Sequence, residues 1–389
     1  MPAQSYTSSS SIAASRRDFL RGAAGLVSTT SFRSILSATG AKGVLGPAPK
    51  TVIVTFGGGA RDEETFAEEG QENIPHLLKE LLPQGTFFTQ VVNAGILGHY
   101  VATASIVTGA YERFDNFIAQ PPPNPTLFEY FRKELRRPAN DAWVIAPSNG
   151  FQRIGSSSHT AFGPDFGASV ILPKRLLSAA MHREAPLSGD RLTHLLQDNY
   201  EMPVYQPITT GQDHELQLSM LESTLSLSVS DFLKHAQAVD SADELSIFIA
   251  RQLMQRHAPS LMMLTLHDMD IAHSGAFSLY VDAIRRADRL CAELWQMIQG
   301  DPEYKDRTTL YIMPDFGRDA DDDPAGNGFQ HHRTGGPLAR TTWLLALGPN
   351  IRHNATVDRA IESIDLVPTI GCHLGFSTRA QGRCIAELL

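Results

Sequence analysis

Hydrophobic positions along the chain fall into short, nearly unbroken runs, separated by glycine-rich turns and by longer stretches with helical periodicity. The run "TVIVTF" (51–56) reads as a fully buried strand ending at "GGG". "TFFTQVVNAG" (86–95), "AWVIAPS" (142–148), "SLMMLTL" (260–266), "TTLYIMP" (308–314) and "TTWLLAL" (341–347) read the same way, and "ASVILP" (168–173) adds a further strand. Between them, "ENIPHLLKELLPQG" predicts a helix with Pro75 in its first turn and Gly85 closing it. "HYVATASIVTGAY", "PTLFEYFRKELRRP" (125–138), "AFSLYVDAIRRADRLCAELWQMIQG" and "SIDLVPTIGCHLGF" also read as helices. In the second of these, Leu127, Phe128, Phe131 and Leu135 share one apolar face.

Strands alternating with helices predict an α/β fold, a mostly parallel sheet flanked by helices. The stretch 150–245 breaks the rhythm. It carries a Ser/Leu-rich helix near 215–235 and reads as a cap-like insertion over the sheet, within one domain spanning 50–389.

Residues 1–49 have a different composition. "MPAQSYTSSSSIAA" is too polar to build a core, and "SRRDFLRGAAGLVSTTSF" sets Arg16 and Arg17 ahead of Phe19, Leu20 and a short small-apolar stretch. This pattern resembles a twin-arginine export signal, with Arg21 where a lysine is usual. The resemblance implies the twin-arginine export machinery as a partner and a periplasmic or otherwise exported location. The apolar stretch is too short to span a bilayer, so no stable membrane span is expected.

Composition narrows the partners. Hydrophobic residues at 42% and charged residues at 19% describe a soluble globular chain with an ample core. A net charge of −9 argues against nucleic acid, while a small anionic substrate remains open because local charge in a site can oppose the global sign. Cys291, Cys372 and Cys384 show no CxxC spacing and cannot all pair within one chain. A Cys372–Cys384 disulfide and free thiols are the alternatives.

Ligands of open parallel sheets bind beyond the carboxyl ends of the strands. The polar residues expected there are Arg61, Asp62, Glu63 and Glu64 after Gly57–Gly59, then Asn93 and His99. They continue with His267, Asp268, Asp270 and His273, then Asp315 and Arg318, and finally His331 and His332 before the 341–347 strand. Carboxylates and imidazoles brought from separate strand ends to one edge are what a zinc-like or manganese-like ion requires. The run "DADDDP" (319–324) lacks calcium-loop spacing and reads as a solvated acidic loop.

In their order, these segments resemble the alkaline phosphatase superfamily, which includes phosphatases, sulfatases, phosphodiesterases and metal-dependent phosphomutases. "HDMDIAHSG" resembles that family's Asp followed by His. "TTLYIMPDFGR" resembles its strand ending in Asp-His-Gly, and "HHRTGG…TTWLLALGPNI" its late histidine before a strand ending in Gly-Pro. "SIDLVPTIGCHLGF" resembles its Asp-x-x-Pro-Thr-Ile…Leu-Gly helix. The resemblance implies a divalent metal, zinc first with manganese or calcium as alternatives, as one or two ions. One ion would be held by Asp268 (or Asp270), His273 and either His331 or His332, with Asp315 beside it. The second subsite departs from the family. Its strand-one aspartate falls on Gly57–Gly59, the His of Asp-His-Gly is Phe316, and the nucleophile position falls on His99.

Several roles stay open for these residues. Asp62, Glu63 or Glu64 is an alternative source of the missing carboxylate. His99 is a candidate ligand, base or nucleophile, and Arg61 or Arg318 a candidate for the anionic group. His267 would support the metal ligands from behind. The implied function is an exported metal-dependent hydrolase of phosphate or sulfate esters acting on a small anionic ester. The alternative is a catalytically silent relative, acting as a periplasmic binding or structural protein.

Overall fold

The computed structural model describes residues 48–162, 164–184, 190–196 and 211–389. The segment read from sequence as an export signal and part of the 150–245 stretch lie outside them. Eight strands form one sheet in the order β4-β3-β5-β1-β6-β7-β2-β8. They are β1 (Lys50–Phe56), β2 (Gly85–Val92), β3 (Ala142–Ile145), β4 (Ser169–Ile171), β5 (Leu261–Leu266), β6 (Thr308–Pro314), β7 (Thr341–Leu347) and β8 (Ala355–Glu362). Only β7 runs against its neighbours, pairing antiparallel with both β6 and β2; the other pairings are parallel.

Alternation along each strand splits the core between the two faces of the sheet. Val52, Val54 and Phe56 of β1, with Leu310 and Ile312 of β6, face one side. Ile53, Tyr311 and Met313 face the other. Because both faces are covered, the central strands read as continuous apolar runs rather than alternating ones. On the second face lie α1 (His99–Thr108), α2 (Leu127–Glu134) and α10 (Leu366–Leu374). The first face carries α3 (Pro173–Arg183), α4 (Asp190–Leu196), α5 (Gly211–Ser219), α6 (Val229–Ala236), α7 (Ala242–His257) and α8 (Phe277–Gly300). A single turn, α9 (Pro337–Arg340), leads into β7. Among the described residues, no helix is long and apolar enough to cross a membrane.

Local chemistry sets several boundaries. Thr126 and Glu129 form a reciprocal capping box that starts α2. That helix stops at Glu134, short of the expected 138, where Arg136 takes a positive φ of 52° ahead of Pro138. The stretch expected as one helix over 72–85 is instead a series of 3₁₀ and π turns across Glu68–Gln84. Pro75 and Pro83 lie within it and offer no backbone N–H. The carboxylate of Asp288 on α8 compensates, accepting from His76 N at 3.0 Å and Leu77 N at 2.6 Å. The Ser/Leu-rich stretch is likewise two helices, α5 and α6, joined by a π turn at Met220–Thr224.

Trp343 on β7 is fully buried between Phe56 and Phe66, with ring centroids at 5.4 and 5.0 Å in edge-on arrangement. Replacing it with alanine is expected to lower the unfolding free energy by about 3–5 kcal/mol, read from chemical denaturation midpoints at unchanged slope.

Candidate metal centre

Strands β1, β5 and β6 end level, since Phe56 pairs with both Leu266 and Pro314. The residues that follow them therefore share one edge. β2 runs in the same direction and brings the segment leading to His99 to that edge. Antiparallel β7 starts there, so the loop before it delivers His331 and His332.

At the end of β1, glycine is required by close approach. A Cβ on Gly58 would lie 2.4 Å from Asp270 N and 2.8 Å from the Met269 carbonyl carbon, and Gly59 has a φ of +68°. This lets the 3₁₀ turn Asp268–Ser274 fold back against β1. In a 3₁₀ turn positions three apart eclipse one another, which sets Asp270 beside His273 and turns Asp268 away. Asp270 Oδ1 lies 3.2 Å from His273 Nε2. Asp268 instead meets Arg286 at 3.0 Å, on the wall of a neighbouring cavity of about 150 Å³. Contrary to the sequence expectation, Asp268 therefore lies turned away from the histidines, and Asp270 faces them.

His99 is the first residue of α1, a helix buried along its whole length. No side chain of its own N-cap, Gly98, closes that end. Asn116 Oδ1 serves instead, accepting from Tyr100 N at 3.1 Å. His99 Nδ1 lies 2.7 Å from Asp315 Oδ2, and its Nε2 3.1 Å from Asp270 Oδ1. Phe316 stacks on the ring, centroids 4.6 Å apart and planes 16° from parallel.

The third contribution comes through Asp319. Its carboxylate accepts from Arg333 N at 2.9 Å and from Thr334 N and Oγ1 at 3.1 and 2.8 Å, while its own N–H donates to His331 O at 2.8 Å. These bonds fix the loop carrying both histidines. Asp319 is fully buried, a correction to its reading as part of a solvated acidic run; its partners are 14 and 15 residues away and leave no local signal. His332 Nδ1 donates to Leu97 O at 2.8 Å, which turns its Nε2 to within 3.2 Å of His273 Nε2. His331 does not enter the cluster and faces the far side of the His273 ring, Nδ1 to Nδ1 at 3.1 Å.

Both arginines expected to bind an anion are committed elsewhere. Arg318 is fully buried and donates to the carbonyls of Gly58, Phe329 and Gln330, and to Asp270 Oδ1 at 3.2 Å. It clamps three segments together. Arg61 is held by Glu64, by Asp321 at 2.7 Å and by the Asp319 carbonyl at 3.0 Å. Two of the carboxylates after β1, Glu63 and Glu64, are engaged away from the histidine cluster. Glu64 bonds Arg61 and Tyr280, and Glu63 lines a separate cavity with Glu69 and Glu72. A Cβ on Gly57 would meet the Thr265 side chain and one on Gly58 the backbone of the Asp270 turn, while Phe316 stacks on His99 where the resemblance implies a histidine.

The electrostatics follow from burial and proximity. Burial alone would lower the His99 pKa, but Asp315 and Asp270 outweigh it and raise it to about 9. Burial works against the charge of Asp270, yet the surrounding imidazoles hold it well below the usual carboxylate range. Burial pushes Asp315 upward. His332 is held well below its ordinary value by burial and by the cationic neighbours His99 and Arg318, so it stays neutral. His267, stacked against Tyr100, is lowered by burial to about 3.

The nitrogens of His99, His273 and His332 lie within 4.8 Å of one another and form a potential metal-binding group. The donor set fits a metal. With Nδ1 facing Asp315 and the Leu97 carbonyl, His99 and His332 turn Nε2 inward. His99 Nε2 is buried and makes no hydrogen bond, despite its 3.1 Å approach to Asp270. Three imidazole nitrogens with a carboxylate oxygen suit zinc or manganese. Calcium, which takes six to eight oxygens, does not fit.

By sequence, no family model and no curated protein matches the chain. Solved structures do resemble it. The phosphonate monoester hydrolase SpPMH from Silicibacter pomeroyi aligns with a TM-score of 0.54 at 14% identity, over 88% of this chain and 76% of that one. The alkaline phosphatase PafA gives 0.51 at 11% identity, over 88% and 99%. The lipoteichoic acid synthase LtaP from Listeria monocytogenes gives 0.51 at 14%, over 87% and 75%. The fold is alkaline phosphatase-like.

Replacing Arg318 with glutamine should strand Asp270 and several carbonyls, costing about 3–5 kcal/mol of stability in denaturant titrations. Unchanged stability with lost ester binding would restore the anion-binding role.

Proposed function

We propose that this chain is an exported, metal-dependent hydrolase of phosphate or sulfate esters, working with one ion. The observation that carries the reading is the meeting of His99, His273, His332 and Asp270 at the carboxyl edge of an alkaline phosphatase-like sheet. Structures of the same fold named as an alkaline phosphatase and a phosphonate monoester hydrolase support the substrate class. Export rests on the paired Arg16 and Arg17 with Phe19 and Leu20 behind them. Residues 150–245 remain, on this reading, a cap-like insertion in the 50–389 domain.

His99, His273, His332 and Asp270 would hold the ion, and a bound divalent cation would supply Lewis-acid polarisation of the ester and a lowered pKa for water. Asp315 and the Leu97 carbonyl orient the rings of His99 and His332 by holding their Nδ1 atoms. Phe316 keeps water from one face of His99. Water is the favoured nucleophile, because α1 offers no available hydroxyl. Ser105 Oγ donates to Val101 O at 2.8 Å and accepts from Glu112 N at 3.0 Å, and Thr103 is fully buried. With Arg61 and Arg318 committed, Arg333 is the cation assigned to the ester's anionic group. It is exposed, and its charge acts on His331.

The silent binding protein is favoured by one observation, the closure of the second subsite by Gly57–Gly59 and Phe316. Metal analysis and turnover separate the two readings. Protein purified without chelator should carry about one transition metal per chain, with Asp270→Asn and His332→Ala losing it and Asp268→Asn keeping it. Chelation should abolish hydrolysis of a panel of phosphate and sulfate monoesters and diesters, and zinc should restore it. Metal retained without turnover of any ester would leave the binding protein, and loss of metal in Asp268→Asn alone would overturn the assignment of ligands. Asp315→Asn should weaken metal affinity about 10–100-fold, read by competition with a chromogenic chelator.

A further inference from the structure

The last residues of the chain lie along α10, held at three successive turns. Arg383 N donates to Asp365 Oδ1 at 2.7 Å, just ahead of the helix, and Ile385 N donates to Thr369 Oγ1 at 2.9 Å. Leu388 O accepts from His373 Nε2. Cys384 sits between the first two of these contacts. Cys372 lies one turn beyond Thr369, on the same side of the helix. The two thiols come within hydrogen-bonding reach of each other, and neither is sealed in the core. Cys372 is exposed and Cys384 half-buried, whereas Cys291 is buried in α8.

The geometry points to Cys372 and Cys384 as a redox-active pair that closes into a disulfide and staples the C-terminal tail to α10. The oxidant is a small or protein disulfide, R–S–S–R. The Cys372 thiolate attacks one sulfur of it, forming a mixed disulfide and releasing one R–S⁻. The Cys384 thiolate then attacks the Cys372 sulfur and displaces the second R–S⁻. Two electrons pass to the oxidant, and the two thiol protons end on the released thiols. Cys372 attacks first because it is the exposed member; Cys384 is pushed up to about 12 by burial and by the Cys372 thiol beside it.

The staple bears on the site through α1. Gly109, which ends α1 with a φ of +67°, accepts at its carbonyl from Gln381 N at 2.7 Å and Gly382 N at 3.2 Å. The closed loop therefore contains the segment that braces the foot of the helix whose first residue is His99. Closing it removes freedom from the unfolded chain and from the tail.

The full chain, incubated with oxidised glutathione, then denatured and alkylated, tests this by mass spectrometry. The expected result is an intrachain Cys372–Cys384 cross-linked peptide, with Cys291 alkylated only after denaturation. The thermal midpoint should rise by ~4 °C over the reduced protein, a shift absent in Cys372→Ser and in Cys384→Ser. Alkylation of all three thiols, or glutathione left attached at Cys372 with no cross-link, would overturn it. So would a cross-link that forms with an identical midpoint, since the tail would then not be stapled in its native position.

Discussion

The architecture of the site turns on one buried carboxylate oxygen. Asp270 Oδ1 lies 3.1 Å from His99 Nε2, 3.2 Å from His273 Nε2 and 3.2 Å from Arg318 Nη2. A carboxylate removed from water must be neutralised where it stands. Its partners come from α1, from its own turn and from the segment after β6, so satisfying this one oxygen draws separate parts of the chain together. Arg318 extends the effect, because its remaining donors hold the carbonyls of Gly58, Phe329 and Gln330. Loss of Asp270 would release a charge and a three-way junction at once.

The sheet makes that convergence possible. Parallel β1, β5 and β6 end level, and the single reversed strand β7 lets a late loop reach the same edge from the other direction. Arg340, just ahead of β7, fastens this loop to the β2 side by donating to Asn93 O and Gly95 O, both at 2.9 Å. The glycines after β1 belong to the same design. They admit the turn carrying Asp270, which needs the space an aspartate side chain would take at that point. Phe316 packs beside the same turn, stacked on His99.

Much of this was legible in the sequence where burial is complete. β6 and β7 run over 308–314 and 341–347, as their apolar runs predict. β8 escaped notice because it is an edge strand, largely exposed, whose "ATVDRAIE" carries few apolar residues in any period. Helix α7 was missed for a different reason. It lies within a stretch whose irregular flanks disguised its period, although Ser241 accepts from Glu244 N at 3.1 Å as an N-cap should. At the site, residue types and strand ends located His99, His273, His332 and Asp315 as candidates. The preference for Asp268 over Asp270 depended on spacing in an unspecified turn, and the 3₁₀ geometry turns Asp270 toward His273 and Asp268 toward Arg286. Arg318 and Arg61 looked like anion binders because an arginine near a site is a free cation until its partners are known. Some of those partners lie far along the chain, at Gly58 for Arg318 and at Asp321 for Arg61, although Glu64 is only three residues from Arg61.

On the proposed reading, His99, His273, His332 and Asp270 together hold one ion. X-ray absorption at the metal edge of the zinc-loaded protein addresses it most directly. The expected result is a shell of nitrogen and oxygen scatterers at about 2.0–2.1 Å, with the outer-shell pattern of three imidazoles and no sulfur. The His99→Ala variant should lose one imidazole contribution. A sulfur shell near about 2.3 Å, or an imidazole pattern unchanged by His99→Ala, would contradict it.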